Sequence, residues 1–401
     1  MHESVDDWSG DYDIFDPKYI ENPYPIWQEL RVSCPVPHTQ RWGGSHMTTT
    51  NEDTRKIAKM VDVFSSINPL VVSSDVPVTF DTDTYGVGAP PISTDPPQHG
   101  PARRLILPAL SPQAVIGYRP FTEQICRSLV TEMGDATYAD AAEQYAQQIP
   151  PRVIAHILGV DLDDADQFVA WVRDVLEQGK GDVGKRLDAG LAIRMYFAEQ
   201  VKLKRQSPGS DMVSQILSGD LDGTPVTDPH AIATCVLLLI AGIDTTWSSI
   251  GSAIWHLATH PDDQARLRQN RDLLPVAIEE FLRAYSPVTM ARLVLKPIRY
   301  NGVDFAPGDK LLLNFPAANR DPLAFEDPES VQIDRRDNRH IAFGIGIHRC
   351  AGSNLARMEM ETSLRILLEM MPPFTLDPRR SVTWGGGQVR GPRNLPLRFS
   401  D

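Results

Sequence analysis

Between Thr227 and His260, apolar residues recur at helical spacing with almost no interruption. Thr227-Asp228-Pro229 offers a capping hydroxyl and a first-turn proline, and the pattern runs to Thr259, just ahead of His260-Pro261. The roughly 30 residues so bounded span ~45 Å as a helix, enough to cross a whole domain. Around Asp244 this helix is apolar on all sides, and Trp247, Ile250, Ile254 and Leu257 keep the spacing beyond it. Such a helix is predicted to be buried against other helices, at the centre of the fold. Upstream, from about Ala102 to Ser218, the same periodicity returns in Ile125, Leu129 and Val130 and in Phe168, Trp171, Val172 and Val175, predicting several packed helices. Two more are expected, one from about Pro275 to Tyr285 and one starting just after Cys350 with Leu355, Met358, Leu364, Ile366 and Leu367 on its apolar side.

Alternation replaces this pattern from Ile298 to Phe315, broken at Asn301-Gly302 and Pro307-Gly308, as in a small sheet with hairpin turns. Short strand-like pieces such as Val71-Val72 mark the opening part of the chain, and the tail from Ser381 reads as extended and glycine-rich. Ser73 to Pro97 is a loop of Pro, Gly, Asp and Thr long enough to be functional. The prolines are spread out and define no linker. The expected architecture is mainly α with a small β subdomain, one domain over 1–401, with β-rich pieces near 35–75 and 295–315.

Hydrophobic residues make up 42% and charged residues 23% of the 401, which argues against disorder and against a polytopic membrane protein. Lys+Arg 39 against Asp+Glu 52 gives 39 − 52 = −13, so most of the surface repels polyphosphate and no nucleic acid partner is expected. The greasiest stretch, Ala231 to Ile243, falls short of the ~18 uninterrupted apolar residues of a membrane span. The acidic N-terminus shows neither signal peptide nor membrane anchor. Cys34, Cys126, Cys235 and Cys350 are scattered without a CxxC pair, which excludes a disulfide framework and a structural zinc site and fits a reduced, cytoplasmic setting.

The densest chemistry lies at Phe343-Gly344-Ile345-Gly346-Ile347-His348-Arg349-Cys350-Ala351-Gly352. A cysteine leaving a glycine-containing loop at the start of a helix has its thiolate favoured by the helix N-terminus, and the glycines let a flat ligand approach the backbone. Taken alone it reads first as a structural cysteine in a turn, since most free cysteines behave as small buried hydrophobes. Zinc has no second ligand pair, and Gly344-Ile345-Gly346 lacks the third glycine of a dinucleotide loop. Phe343-Gly-x-Gly-x-His348-x-Cys350-x-Gly352 with Leu355-Ala356-Arg357 resembles the haem-binding signature of the cytochrome P450 superfamily. The resemblance implies the P450 fold, with a long central helix over a buried haem b and Cys350 as the axial ligand of its iron; a thiolate there favours O–O cleavage.

Other motifs follow in family order. Glu280-Phe281-Leu282-Arg283 resembles the ExxR motif, whose side chains form a buried ion network with a later arginine, here Arg335. The resemblance assigns the haem propionates to His99 and Arg103 of an HxxxR motif, to Arg292 and to His348, since buried carboxylates need cationic donors. Ala241-Gly242-Ile243-Asp244-Thr245-Thr246 is similar to the family's (A/G)Gx(D/E)T, in which Thr245 and Asp244 would deliver protons to dioxygen. Without the haem signature the same segment would read as a packing glycine with a threonine bonded back one turn. Ala351, Leu110 and Pro297 depart from the family's commonest residues without removing a catalytic group.

The resemblance also places substrate against the loop before His99, Ala241 and Gly242 on the central helix before Thr245, the segment Val288 to Ala291 with Met290, and the tail turn near Trp384 to Val389. The last two of these walls are nearly uncharged, which suits a small, largely apolar organic substrate. No flavin-binding or iron–sulfur region follows the haem segment, so a separate ferredoxin with a NAD(P)H-dependent ferredoxin reductase is implied. Arg335, Arg336, Arg339 and Arg349 offer it a basic dock. The expected activity is monooxygenation with O2, as hydroxylation or oxidative O-dealkylation. The alternatives are a haem-thiolate sensor that does not turn over and a peroxide-driven oxygenase.

Overall fold

The computed structural model describes residues 4–72, 81–134, 138–177 and 182–399. Its longest element is the helix Asp228–Thr259, capped as expected, with the Thr227 hydroxyl accepting the His230 N–H at 3.4 Å. By length and composition this helix could cross a membrane, although its apolar run is interrupted; 72% of its most apolar window is buried, which makes it a core helix.

The chain divides into two compact units, each assembled from three stretches. One comprises Met1–Asp75, Val276–Cys350 and Thr383–Gly391; the other comprises Val76–Pro275, Ala351–Val382 and Pro392–Asp401.

The first unit is built on a five-stranded mixed sheet in the order His38–Thr39, Ser45–Met47, Lys310–Asn314, Thr289–Val294, Phe64–Ser65. Lys310–Asn314 runs parallel to Ser45–Met47 and antiparallel to Thr289–Val294, with Leu312 opposite Ala291. All five of its residues are buried, with Leu311, Leu312 and Leu313 in succession as in a strand covered on both faces. Tyr12, Tyr19, Trp27 and Leu30 pack one core beside Met47, Ala291 and Leu312, and Phe64, Phe305, Leu311 and Phe315 pack another.

The Asn301-Gly302 hairpin forms between Ile298–Tyr300 and Val303–Phe305, with φ of 47° and 81° in the left-handed region where Asn and Gly are at least cost. Pro307-Gly308 does not make a second hairpin with this pair. It delivers the chain to Lys310–Asn314, which takes Thr289–Val294 as its partner. Val71-Val72 is a bend, because the Val71 N–H donates to the Gln388 side chain at 3.3 Å and not to a strand ladder. Of the loop from Ser73 to Pro97, residues 73–80 lie outside the described residues, and Thr82–Tyr85 is a short helix.

The second unit is helical. The central helix packs against Ile149–Leu158, Val183–Gln206 and Ser353–Met370, and Pro112–Met133 lies along the last of these. Pro396–Phe399 sits between Phe374–Leu376 and Tyr138–Asp140 in a three-stranded sheet. A Cβ on Gly251 would lie 2.8 Å from Pro392 Cγ, so this glycine is what lets the segment before that strand run close against the central helix. That approach positions Arg393.

Candidate functional site

In the first unit, Cys350 ends a loop whose glycines are required by its backbone. Gly344 and Gly346 have φ of 68° and 76°, and a Cβ on Gly346 would lie 3.3 Å from the Ala58 carbonyl oxygen. The Cys350 N–H donates to the Phe343 carbonyl at 2.8 Å, closing the loop, and the helix Ser353–Met370 begins three residues later. Cys350 is exposed, whereas Cys126 and Cys235 are fully buried with thiols pushed up to about 12 by burial. Of these three cysteines, only Cys350 offers its sulfur for ligation.

The loop rests on a buried ion cluster. Glu280 and Arg283, one turn apart on Leu274–Ala284, are both 0% exposed, which rules out a solvated surface pair. Arg283 donates to Glu280 through Nε and Nη2, each at 2.8 Å, and to the carbonyls of Asn319, Pro328 and Ser330. The same carboxylate accepts Arg335 Nε at 3.0 Å, Asn338 Nδ2 at 3.0 Å and the Gln332 N–H at 2.8 Å. Both guanidiniums are therefore matched by a carboxylate whose lone pairs are filled, the condition for a buried ion pair to be tolerated. Asn338 and Gln332 were not legible beforehand. Asn319 ties this cluster to the loop by accepting the Ile341 N–H at 2.8 Å and donating to Ser286 at 2.6 Å.

This geometry corrects the basic dock. The Arg335 side chain is 8% exposed and committed to Glu280, so it cannot also present charge at the surface. Arg336 and Arg349 are exposed, and Arg339 is exposed but paired with Asp337 at 3.0 Å.

The candidate carboxylate-binding residues fall in both units. Arg292, on Thr289–Val294, is 4% exposed and donates to the Ala291 carbonyl at 2.8 Å. His348 lies in the single turn Gly346–His348 before Cys350. In the second unit His99 opens the helix His99–Ile106 and is 4% exposed, with Arg103 one turn on. Burial and the neighbouring Arg103 charge lower the His99 pKa, which keeps the ring a neutral donor.

On the central helix, Leu237, Ile240, Ala241, Gly242 and Thr245 are not buried, although Val236, Leu238, Leu239, Ile243 and Asp244 around them are. Their spacing puts them on one stripe, mid-helix, in an element otherwise packed on all sides. The Thr245 hydroxyl donates to the Ala241 carbonyl at 2.8 Å, the local bond that competes with any other role, and keeps its lone pairs for accepting.

Asp244 is 1% exposed and points away into protein. Its Oδ1 accepts Arg393 Nη2 at 3.0 Å and Ser248 Oγ at 3.2 Å. Burial raises its pKa to about 6, against the opposing pull of Arg393. Arg393 also pairs with Glu177 and donates to Ser248 at 3.0 Å. Neither Arg393 nor Glu177 carried a recognisable sequence signal.

Among the wall candidates, Val288 pairs with Val389 in an isolated antiparallel bridge, and Gln388 Nε2 reaches Met290 Sδ at 3.5 Å. Trp384 is engaged differently: the Arg390 guanidinium lies 4.2 Å from its ring centre, and Arg390 is anchored on the Ile20 and Glu21 carbonyls. Within the expected tail turn from Trp384 to Val389, Gln388 and Val389 are the residues that meet Met290 and Val288.

The Cytochrome P450 family model matches residues 188–379. Cytochrome P450 107B1 of Saccharopolyspora erythraea is 34% identical over 316 residues, 77% of this chain and 76% of that protein. The 6-deoxyerythronolide B hydroxylase of the same organism is 31% identical over 388 residues, 94% of this chain and 96% of its own length. Among solved structures, the bacillaene polyketide synthase P450 PksS of Bacillus subtilis 168 superposes with a TM-score of 0.87 at 27% identity, covering 97% of this chain and 100% of that one.

A cysteine-ended glycine loop over a buried Glu–Arg cluster, on a fold shared over nearly its whole length with these proteins, defines the class. The chain belongs to the cytochrome P450 family: it is a haem monooxygenase, and its cofactor is haem b.

Proposed function

We propose that the whole chain acts as one catalytic domain that inserts one atom of O2 into a largely apolar organic molecule, by hydroxylation or oxidative O-dealkylation. For hydroxylation the balance is R–H + O2 + two electrons + two protons giving R–OH + H2O. Haem b supplies the oxygen-activating redox chemistry when bound. The residues present fit such a group: an exposed cysteine at a glycine-shaped loop, deeply placed His and Arg donors suited to two propionates, and a bare apolar stripe suited to a flat macrocycle. Cys350 would hold the haem iron through its sulfur, and His99, Arg103, Arg292 and His348 would hold its propionates. Glu280, Arg283 and Arg335 keep the cysteine loop rigid.

The observation that carries O2-dependent turnover is the buried acid next to the hydroxyl on that stripe. Sensing needs no proton donor, and peroxide already carries the protons that O2 lacks. Asp244 holds a proton and Thr245 passes it on. In Thr245→Ala, product formation should fall by about 10²-fold, the lower end of what a positioned acid–base group contributes, while reductant and O2 are still consumed. Unchanged product per O2 in that variant would refute the relay.

Ala241, Gly242, Val288 and Met290 line the substrate, joined by Gln388. Hydroxylation of 6-deoxyerythronolide B by one relative and polyketide biosynthesis by another make polyketide-derived compounds the first class to test. A titration of the ferric protein with macrolide aglycones, steroids, terpenes and fatty acids, read by haem spin state, should respond to one class. Electrons come from a ferredoxin and its NAD(P)H-dependent reductase, in the cytoplasm, and the exposed Arg349 contributes to docking. Arg349→Glu should slow reduction and flatten its salt dependence; an unchanged rate would remove Arg349 from the dock.

A further inference from the structure

Arg393 stands between two carboxylates. It donates to Asp244 Oδ1 on the central helix and ion-pairs with Glu177, the residue that ends the helix Ala165–Leu176. The Arg393 side chain is 11% exposed, Asp244 1% and Glu177 21%, so one acid is sealed and the other reaches water. Gln147 Nε2 donates to the Arg393 carbonyl at 2.9 Å and, with Gly251 admitting Pro392, fixes where the guanidinium sits. Arg173 and Arg393 both lie within 6 Å of the Trp247 ring, and Arg173 is itself bonded to Gln147.

Other charged groups on the neighbouring elements are engaged elsewhere. Arg152 binds Gln148, His156 stacks on Phe121 at 4.0 Å, Arg194 donates to the Gly88 carbonyl, and Glu359 lies by Cys126. Among the described residues, these ion contacts join two carboxylates to one guanidinium, an arrangement in which the sealed carboxylate is the one driven to take a proton. Asp244 Oδ1 is filled by Arg393 and Ser248, while Oδ2 is buried with no hydrogen-bond partner among the described residues. A proton taken up by this acid is therefore assigned to Oδ2, the oxygen outside the Arg393 and Ser248 contacts, with the Trp247 indole as the neighbouring donor.

We propose that Asp244, Arg393 and Glu177 form a one-proton store in which Glu177 competes with Asp244 for Arg393 and so sets whether Asp244 is loaded. This rests on the reading of Asp244 as proton donor. Glu177 is a positioning residue, acting on Asp244 only through Arg393. Removing its charge gives Arg393 wholly to Asp244 and favours the ionised form. Removing Arg393 does the opposite.

The test is infrared titration of the purified haem-loaded protein, following the protonated-carboxyl band that is lost in Asp244→Asn. In the parent its midpoint should lie at about 6. Glu177→Gln should lower it by ~1 unit and Arg393→Gln should raise it by ~1 unit, opposite shifts that a merely structural role would not produce. The alkaline limb of product formation should move in the same two directions. Glu177 is partly exposed, so Glu177→Gln keeps the test decisive even if Arg393→Gln folds poorly. An unchanged midpoint in Glu177→Gln overturns the proposal. If instead the midpoints shift as stated but Asp244→Asn forms product as well as the parent, the store stands and the relay assignment fails.

Discussion

Glu280→Leu should be among the most destabilising single substitutions in this chain. It leaves Arg283, 0% exposed, and Arg335, 8% exposed, without their shared counter-ion. Removing one partner of a buried pair costs about 3–5 kcal/mol, set against a total stability of about 5–15 kcal/mol. The loss here belongs at the upper end, because the same carboxylate also holds Asn338 and the Gln332 backbone. A drop in melting temperature of about 10 °C is expected, measured by thermal unfolding at equal haem content. Arg283→Lys should fail almost as badly, since lysine keeps the charge but not the fork that reaches Glu280 and three carbonyls together. A shift of only about 2 °C for Glu280→Leu would mean that the cluster is dispensable packing.

Cys350→Ser should have the opposite profile, with little lost in stability and nearly everything lost in chemistry. The side chain is exposed, and the loop is closed by the residue-350 backbone N–H, which serine retains. A neutral alcohol cannot replace the thiolate as an electron-donating axial ligand. The carbon-monoxide difference spectrum should lose its thiolate character and monooxygenation should fall below detection. Cys126→Ser and Cys235→Ser should leave that spectrum unchanged, because both thiols are fully buried. Thiolate character surviving in Cys350→Ser would remove this residue as the ligand.

What could be read from the sequence was what local chemistry decides. The caps of Asp228–Thr259, the Asn301-Gly302 hairpin and the helix after Cys350 depend on residues within a few positions of one another, and all three are in the structure. The cluster of Glu280, Arg283 and Arg335 was legible only through resemblance, because an ion pair at helical spacing says nothing of its own burial. Val71-Val72 failed as a strand for a long-range reason, since its backbone partner is Gln388, 317 positions away. Pro307-Gly308 was a genuine turn, but a turn does not specify which strand the following segment pairs with. The sequence offers Arg335 two roles that one side chain cannot fill, and its burial decides for the ion cluster. Arg393 and Glu177 are illegible in the sequence because nothing in their neighbours distinguishes them from ordinary charged residues.

The pairing of Asp244 with Arg393 spans 149 positions. During synthesis, the central helix therefore exists well before the cation that makes its buried acid tolerable. Until Arg393 arrives, Asp244 must either stay protonated or keep that part of the helix hydrated, and both options delay tight packing of the helices around it. The segment before the last strand thus acts as a fastener on the interior: the nascent helices can gather early, but their middle locks only when the distant arginine is threaded in beside Gly251.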